Sequence, residues 1–86
     1  MIDYNEVFWD NVIRWQRFRR INNSEMGLRL DISKGSYVNA KTQRVGVSTR
    51  KLGKYVEALE VEPQDLFDVW TDEEWQAFVN RSKGEE

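Results

Sequence analysis

The fold of this chain is decided by residues 22–46, which read NNSEMGLRLDISKGSYVNAKTQRVG. The pattern predicts a helix from about Asn23 to Leu30, a turn at Asp31-Ile32-Ser33 and a second helix from about Lys34 to Arg44. We expect the turn to place Asp31 in the left-handed region, which Asp tolerates better than most residues. The positions expected to face inward are apolar or small: Met26, Gly27, Leu30, Ile32, Tyr37 and Ala40.

The second of these helices carries a continuous stripe of small, weakly polar residues. The stripe consists of Gly35, Val38, Asn39 and Thr42. Their spacing of i, i+3, i+4 and i+7 places them on one face of a helix, and basic residues surround them. Small polar groups among cations suit the major groove of DNA, although an ordinary helix pair with a merely solvated outer face has the same pattern.

Length and composition restrict the chemistry. At 86 residues the chain has the length of one domain, and 40% apolar residues with four Trp are enough for a core. The absence of Cys and His excludes disulfides, thiolate nucleophiles, Ser-His-Asp triads and zinc sites with Cys or His ligands. The carboxylates of residues 72–74 could act as acid/base groups, but they lie in the first turn of a predicted helix, where negative charge is favoured. Among metal sites, only one built from carboxylates alone is compatible with the composition. We therefore expect neither an enzyme nor a cofactor.

The charges are segregated along the chain. Residues 11–56 contain eleven cations and two anions, a net charge of +9, whereas residues 1–10 carry −3 and residues 57–86 carry −8. A basic centre between acidic ends is typical of a polyanion-binding surface, although charge also serves solubility. In the first helix, Arg14, Arg17 and Arg20 form an i, i+3, i+6 row that is either a solvated face or a set of phosphate contacts.

The flanking sequence predicts further helices. The first spans about Tyr4 to Arg20, and the fourth spans about Thr49 to Glu60 after a cap at Ser48. A short fifth helix begins at Glu62-Pro63, and a sixth is capped by Thr71 and followed by a frayed end from Ser82 to Glu86. These elements predict an all-α, compact bundle of five to six helices with a central helix-turn-helix.

The organisation of the chain follows from the same pattern. We expect residues 1–70 to form the helix-turn-helix domain and residues 71–86 to form an acidic helix and tail, packed on the domain or used for association. The N-terminal MIDYNEVFWD is acidic and mixed, unlike a signal peptide, and no apolar run approaches the ~20 residues of a membrane-spanning helix. A cytoplasmic protein without membrane contact is expected.

From Val12 to Phe67 the chain resembles the phage-repressor and Cro-type helix-turn-helix family, the XRE-type or lambda-repressor-like domains. The likeness ends in LGKYVEALEVEPQDLF, residues 52–67, which resembles the leucine, alanine-leucine and "DL" endings of the family. Between these limits it is carried by Val12, Trp15, Met26, Gly27, Leu30, Ile32, Ser33, Tyr37 and Ala40. The resemblance implies a homodimer on a two-fold double-stranded DNA operator, with the third helix of each subunit in a major groove.

The resemblance also implies a set of DNA contacts. The base-reading positions of the family correspond to Ser33, Lys34, Gly35, Val38, Asn39 and Thr42. The phosphate-contacting positions correspond to Asn23, Lys41, Arg44, Ser48, Arg50 and Lys51. Because Asn makes a bidentate contact with adenine and methyl groups suit thymine, Asn39, Val38 and Thr42 predict an A/T-leaning half-site, with guanine contact left to Lys34.

Several positions depart from the family pattern. Asn22 stands where Ser is usual, Asn23 stands where Gln is usual, and Asp31 replaces the turn glycine. Gln43 stands where a glycine usually ends the third helix. The Arg–Glu pair that often joins the first and third helices is absent, because its positions are occupied by Gln16 and Lys41.

Two functions therefore remain open. The first is a sequence-specific transcription regulator, such as a small switch protein of a phage or mobile element. The second is an antirepressor that keeps the fold but binds and inactivates a partner repressor, which the acidic balance and the departures favour. Aromatic and apolar residues of the acidic tail would then pack on the first helix or cover a partner: Trp70, Trp75, Phe78 and Val79.

Overall fold

The chain forms five α-helices and a short 3-10 helix in a computed structural model that describes residues 1–84. The helices are α1 (Tyr4–Phe18), α2 (Asn23–Leu30), α3 (Lys34–Gln43), α4 (Thr49–Leu59) and α5 (Asp72–Gly84), and the 3-10 helix (Pro63–Leu66) lies between α4 and α5. No strand occurs in this part of the chain. The radius of gyration of 13.0 Å is close to the roughly 12 Å of a compact domain of this length. The predicted all-α class is confirmed.

Each of the five α-helices begins after a side chain that caps its first backbone N–H groups. The capping residues are Asp3, Asn22, Ser33, Ser48 and Thr71. At α5 the cap is reciprocal, since Glu74 N donates to Thr71 Oγ1 and Thr71 N donates to Glu74 Oε1, both at 3.1 Å. The caps predicted at Ser33, Ser48 and Thr71 are confirmed, and their short polar side chains explain where the helices start.

The ends of α1 to α4 are marked by non-glycine residues in the left-handed region. These residues are Arg20 (φ 57°), Asp31 (φ 60°), Arg44 (φ 52°) and Glu60 (φ 56°). The prediction for Asp31 is confirmed. The helices predicted to run to Arg20, Arg44 and Glu60 instead stop before these residues, because a left-handed residue interrupts the helical hydrogen bonds. Gln43, which stands where the resembled family usually has a glycine, is the last residue of α3, and the left-handed residue is Arg44.

The core is built around α1. Its buried side chains Phe8, Trp9, Val12 and Trp15 contact the inner faces of α2, α3, α4 and the 3-10 helix. The buried partners are Met26, Leu30, Tyr37, Tyr55, Ala58, Leu59 and Leu66, with Ile21 closing the end of α1. Ala40 and Phe67 are half-buried at the edge of this core. The predicted inward positions of Met26, Leu30 and Tyr37 are confirmed.

Gly27 sets the distance between α2 and the chain that follows it. A Cβ at this position would lie 2.9 Å from Ile32 O and 3.2 Å from Lys34 N, both backbone atoms. The backbone of the turn therefore packs closely against α2 at Gly27, which is buried as predicted. The same turn, in which Ile32 N donates to Gly27 O at 2.9 Å, leaves the Ile32 side chain 41% exposed. The prediction that Ile32 faces inward is wrong, because its backbone rather than its side chain fills the space beside Gly27.

α5 packs on the C-terminal half of α1 through an aromatic cluster. The cluster contains Trp15, Phe18, Trp70, Trp75 and Phe78. The ring centroids of Trp15 and Trp75 are 5.1 Å apart, in an edge-to-face arrangement typical of stable aromatic pairs. Of the two roles left open for these aromatic residues, packing on the first helix is the one that they fulfil in this chain.

The C-terminal helix is longer than predicted. Residues 82–84 belong to α5, so fraying from Ser82 onward is wrong for these three residues, while Glu85 and Glu86 lie outside the described residues. No helix in residues 1–84 has both the length and the apolar character needed to cross a membrane.

Candidate nucleic-acid interface

The outer face of α3 is open to solvent along the predicted stripe. Gly35, Asn39 and Thr42 are exposed and Val38 is half-buried. A Cβ on Gly35 would have no neighbouring atom within 4 Å, so nothing in the described chain covers this part of the helix. On the opposite face Tyr37 is fully buried and holds α3 to the core. The fold therefore places the stripe as a group on an accessible surface.

Asn39 is engaged by a neighbour that the sequence reasoning missed. Gln43 Nε2 donates to Asn39 Oδ1 over 3.0 Å across one turn of α3. The bond is exposed, so its cost of opening is small, and the amide N–H groups of Asn39 stay available. The i, i+4 spacing of these two amides was the signal that could have identified this contact.

The first residues of α3 combine a cap with a cation. Ser33 Oγ accepts from Ser36 N at 3.0 Å and donates to Ser36 Oγ at 2.9 Å, so its hydroxyl already serves the helix. Lys34 is exposed and forms no ion pair within residues 1–84. Of these two predicted base-reading residues, Lys34 is the one whose side chain is available to a ligand.

A hydrogen-bond network joins α1, α2 and α3 at Gln16 and Lys41, the two positions that departed from the resembled family pattern. Gln16 Nε2 donates to Ile21 O at 2.9 Å and to Asn23 Oδ1 at 3.0 Å, and Tyr37 Oη donates to Gln16 Oε1. Lys41 Nζ donates to the same Asn23 Oδ1 at 2.7 Å. The two predicted phosphate-contacting residues Asn23 and Lys41 are thus joined directly, at the start of α2.

Lys41 is positioned by more than this bond. Its ammonium group lies 5.1 Å from the centroid of the Tyr37 ring, within the range of a cation–π contact. Partial burial and the positive charge of Arg17 lower the pKa of Lys41 from its ordinary value. A nearby anion would offset both unfavourable effects, since it would compensate the desolvated charge.

Arg44, a predicted phosphate-contacting residue, forms ion pairs within the fold. Its guanidinium group forms ion pairs with Glu6 Oε2 and Asp10 Oδ1, both at 2.9 Å. The loop after α3 is held further by Asn5 Nδ2, which donates to Arg44 O at 2.6 Å, and by Trp9 Nε1, which donates to Val45 O at 2.9 Å. Arg44 therefore fastens the loop to α1, and its charge is largely compensated before any ligand arrives.

The start of α4 carries exposed cations. Ser48 Oγ accepts from Lys51 N at 3.3 Å, so Ser48 is a cap. Arg50 and Lys51 are exposed on the first turn and form no ion pair in the described residues. Cations at a helix N-terminus oppose the helix dipole, which favours anions there. The first turns of α3 and α4 contain no acidic residue, whereas those of α1, α2 and α5 do.

Other cations of the basic segment are used inside the fold. Arg19 Nε and Nη2 donate to the carbonyl oxygens of Leu59 and Glu60, at 3.1 and 2.9 Å. Arg29 Nη1 donates to Ala58 O at 2.8 Å. Both side chains therefore cap the C-terminus of α4. The net +9 of residues 11–56 overstates the positive charge that the surface offers to a ligand.

Arg14 binds the N-terminus of α5. Its Nη2 lies 3.4 Å from Asp72 Oδ1 and from Trp70 O, and Nη1 donates to Asn11 Oδ1 at 3.2 Å. Arg20 is not part of a row with Arg14 and Arg17, because α1 ends at Phe18 and Arg20 has a left-handed backbone.

The described residues contain no group of three or more acidic side chains that could hold a metal ion. Asp72 pairs with Arg14 and Glu74 completes the cap at Thr71, so these two carboxylates serve the fold. Comparison of the chain with protein-family models, with curated proteins and with solved structures found no match.

Proposed function

We propose that this chain is a sequence-specific DNA-binding transcription regulator of the phage-repressor and Cro type, in which α2, the turn and α3 act as a helix-turn-helix. One observation carries the proposal. The small polar stripe on α3 is exposed and lies in a fold whose α3 and α4 both begin with uncompensated cations, Lys34, Arg50 and Lys51. Such cations stabilise neither helix, but they suit a phosphate backbone.

The reading of bases would fall to α3. A major groove about 12 Å wide accepts an α-helix, and the open surface at Gly35 would let the backbone come close to the base edges. Asn39 would contact adenine, and the methyl groups of Val38 and Thr42 would contact thymine. Lys34 is the group available for guanine.

Phosphate contacts would flank the helix on two sides. One edge is formed by Asn23 and Lys41 at the start of α2, and the other by the backbone at Ser48 with Arg50 and Lys51. Arg44 is also in this set, and its ion pairs with Glu6 and Asp10 hold the loop after α3. Two copies of the chain on a two-fold operator would place their α3 helices about 34 Å apart.

The protein would act by binding alone, without catalysis or a cofactor. We propose a cytoplasmic switch protein of a phage or mobile element, because the family that it resembles works by occupying operators. Its output would follow from where the operator lies relative to a promoter.

The test is selection of bound duplexes from a random-sequence pool, followed by the variant Asn39→Ala. We expect an A/T-rich two-fold site, a loss of roughly 1–3 kcal/mol of binding free energy and relaxed preference at one base position. Asn80→Ala is the matched control, since Asn80 also accepts from a glutamine one turn away, Gln76, at 3.1 Å, but lies on α5. If no sequence is enriched, or both variants behave alike, the assignment of Asn39 is wrong.

A second candidate is the antirepressor, and one observation favours it. A cavity of about 190 Å³ lies between α3 and α4, and it is lined by Ile32 and Val45, each 41% exposed, with Lys51 and Lys54 beside them. An apolar groove with cations at its edge suits an apolar side chain of an acidic partner protein. Tight binding to a co-encoded repressor that Ile32→Ser abolishes, with no DNA binding at low salt, would favour this function over the first.

A further inference from the structure

A groove away from the α3 stripe lies between the C-terminal half of α1 and α5. It has a volume of about 700 Å³, with Phe18, Trp75 and Val79 among its apolar lining residues. Its cations are Arg14, Arg17, Arg19, Arg20 and Lys83, and no carboxylate is among the residues that line it. Five positive side chains around one concave surface repel one another and favour an anionic ligand.

Most of this charge is not compensated by the fold. Arg14 pairs with Asp72. Arg19 donates to the last carbonyl groups of α4 and lies 5.5 Å from the Trp15 ring centroid, so the fold uses part of its charge. Arg17, Arg20 and Lys83 are exposed and form no ion pair within residues 1–84.

The groove is continuous with the surface at the start of α2. Arg17 lines both this groove and a second, shallower one of about 330 Å³ that contains Asn22, Asn23 and Lys41. A basic path therefore leads from the α2 edge of the α3 surface, across Arg17, to α5. This continuity favours a long, regular polyanion over a separate acidic peptide, because one ligand can contact both grooves.

We infer that the α1–α5 groove binds phosphate groups of the DNA duplex that flanks the half-site. The inference rests on the proposed function and extends it. In this arrangement, α3 and the phosphate-contacting residues on its two sides bind the DNA half-site. The α1–α5 groove extends the contact along the DNA phosphate backbone beyond the half-site, on the side where α2 lies. Phosphate contacts of this kind add affinity and salt dependence without adding sequence preference.

The test uses a variant that lies outside the proposed half-site surface, Arg20→Asn with Lys83→Gln. Asn tolerates the left-handed backbone of residue 20, and both side chains are exposed, so the urea midpoint should stay at the wild-type value. Binding to a labelled mixed-sequence duplex of about three helical turns is followed by fluorescence anisotropy across salt concentrations. Two lost phosphate contacts should reduce the slope of log K against log salt by about 1.8. Arg81→Gln is the control, because Arg81 is exposed on α5 but does not line the groove.

The outcomes separate this inference from the proposed function. A wild-type slope in the double variant overturns the groove, while a relaxed base preference in Asn39→Ala would still support base reading by α3. A reduced slope without any enriched sequence supports the groove and contradicts the base reading. If the wild-type chain binds no duplex at low salt, or if Arg81→Gln lowers the slope by about 0.9, as one lost phosphate contact would, the groove assignment is overturned.

Discussion

Arg19 and Arg50 belong to the same basic segment, yet the fold uses them in opposite ways. Arg19 donates to the last carbonyl groups of α4, where a positive charge complements the helix dipole. Arg50 lies on the first turn of the same helix, where a positive charge opposes the dipole and has no ion-pair partner in residues 1–84. One end of α4 therefore uses cations for stability, and the other end exposes cations that the fold does not need.

The difference separates two groups of cations. The internal group stabilises contacts between helices: Arg14, Arg19, Arg29 and Arg44. The surface group lies on the first turns of α3 and α4: Lys34, Arg50 and Lys51. Surface residues that cost a little stability and form no contact are the ones to test first for binding, whereas the internal group accounts for much of the sequence's basic character without any ligand.

The largest expected effect comes from breaking the internal group at α4. Arg19→Met with Arg29→Met removes three hydrogen bonds to the end of the helix, and we expect a loss of about 2 kcal/mol of unfolding free energy in urea denaturation, after allowance for partial exposure. The matched variant Arg50→Met with Lys51→Met should change stability by less than about 0.5 kcal/mol but weaken DNA binding. Equal losses of stability in the two variants would contradict the division into groups.

Lys41 belongs to neither group alone, because it forms contacts within the fold and is also a proposed phosphate contact. The variant Tyr37→Phe tests the hydrogen-bond network of Tyr37, Gln16, Asn23 and Lys41. Loss of the hydroxyl leaves the buried Gln16 Oε1 without its donor, so we expect a loss of about 1–2 kcal/mol at neutral pH. Burial raises the pKa of Tyr37 well above its ordinary value of 10.0 and raises that of Tyr55 to about 12.

The stability of Tyr37→Phe should also depend on pH differently from that of the wild-type chain. Because the folded-state pKa values of these tyrosines are raised, their contribution to stability is complete below pH 10 and is lost as pH rises above it, where the unfolded chain ionises first. Tyr37→Phe should therefore lose less stability between pH 10 and 12 than the wild-type chain, as measured by urea midpoints. An equal alkaline loss in both proteins would assign the effect to Tyr55 alone.

The smallest expected effect concerns Asp31, the exposed anion between α2 and α3. Asp31→Gly should stabilise the chain by about 0.5–1 kcal/mol, because glycine adopts the left-handed backbone without steric cost. Both Asp31→Gly and Asp31→Asn should tighten DNA binding at low salt, since both remove a negative charge near the proposed interface. If only the glycine variant binds more tightly, backbone geometry rather than charge limits the contact.

Local chemistry made much of the fold predictable. Ser33, Ser48 and Thr71 cap helices because their short side chains reach backbone N–H groups two or three residues away. The left-handed backbone of Asp31 was predicted because such a turn restricts the residue type at that position. The exposed stripe on α3 followed from helical spacing alone.

What only the tertiary structure decided is the partner of each charge and the direction of some side chains. Arg14, Arg19, Arg29 and Arg44 find acceptors 29 to 58 residues away, and no local pattern specifies which carbonyl or carboxylate will be near. The Ile32 side chain is 41% exposed, while its backbone oxygen lies closest to the position that a Cβ on Gly27 would take. Sequence by itself determined where the helices lie and which face of α3 is open. The packing of distant helices determined which of its cations remain on the surface, because electrostatic contacts depend on distances in space and not on spacing along the chain.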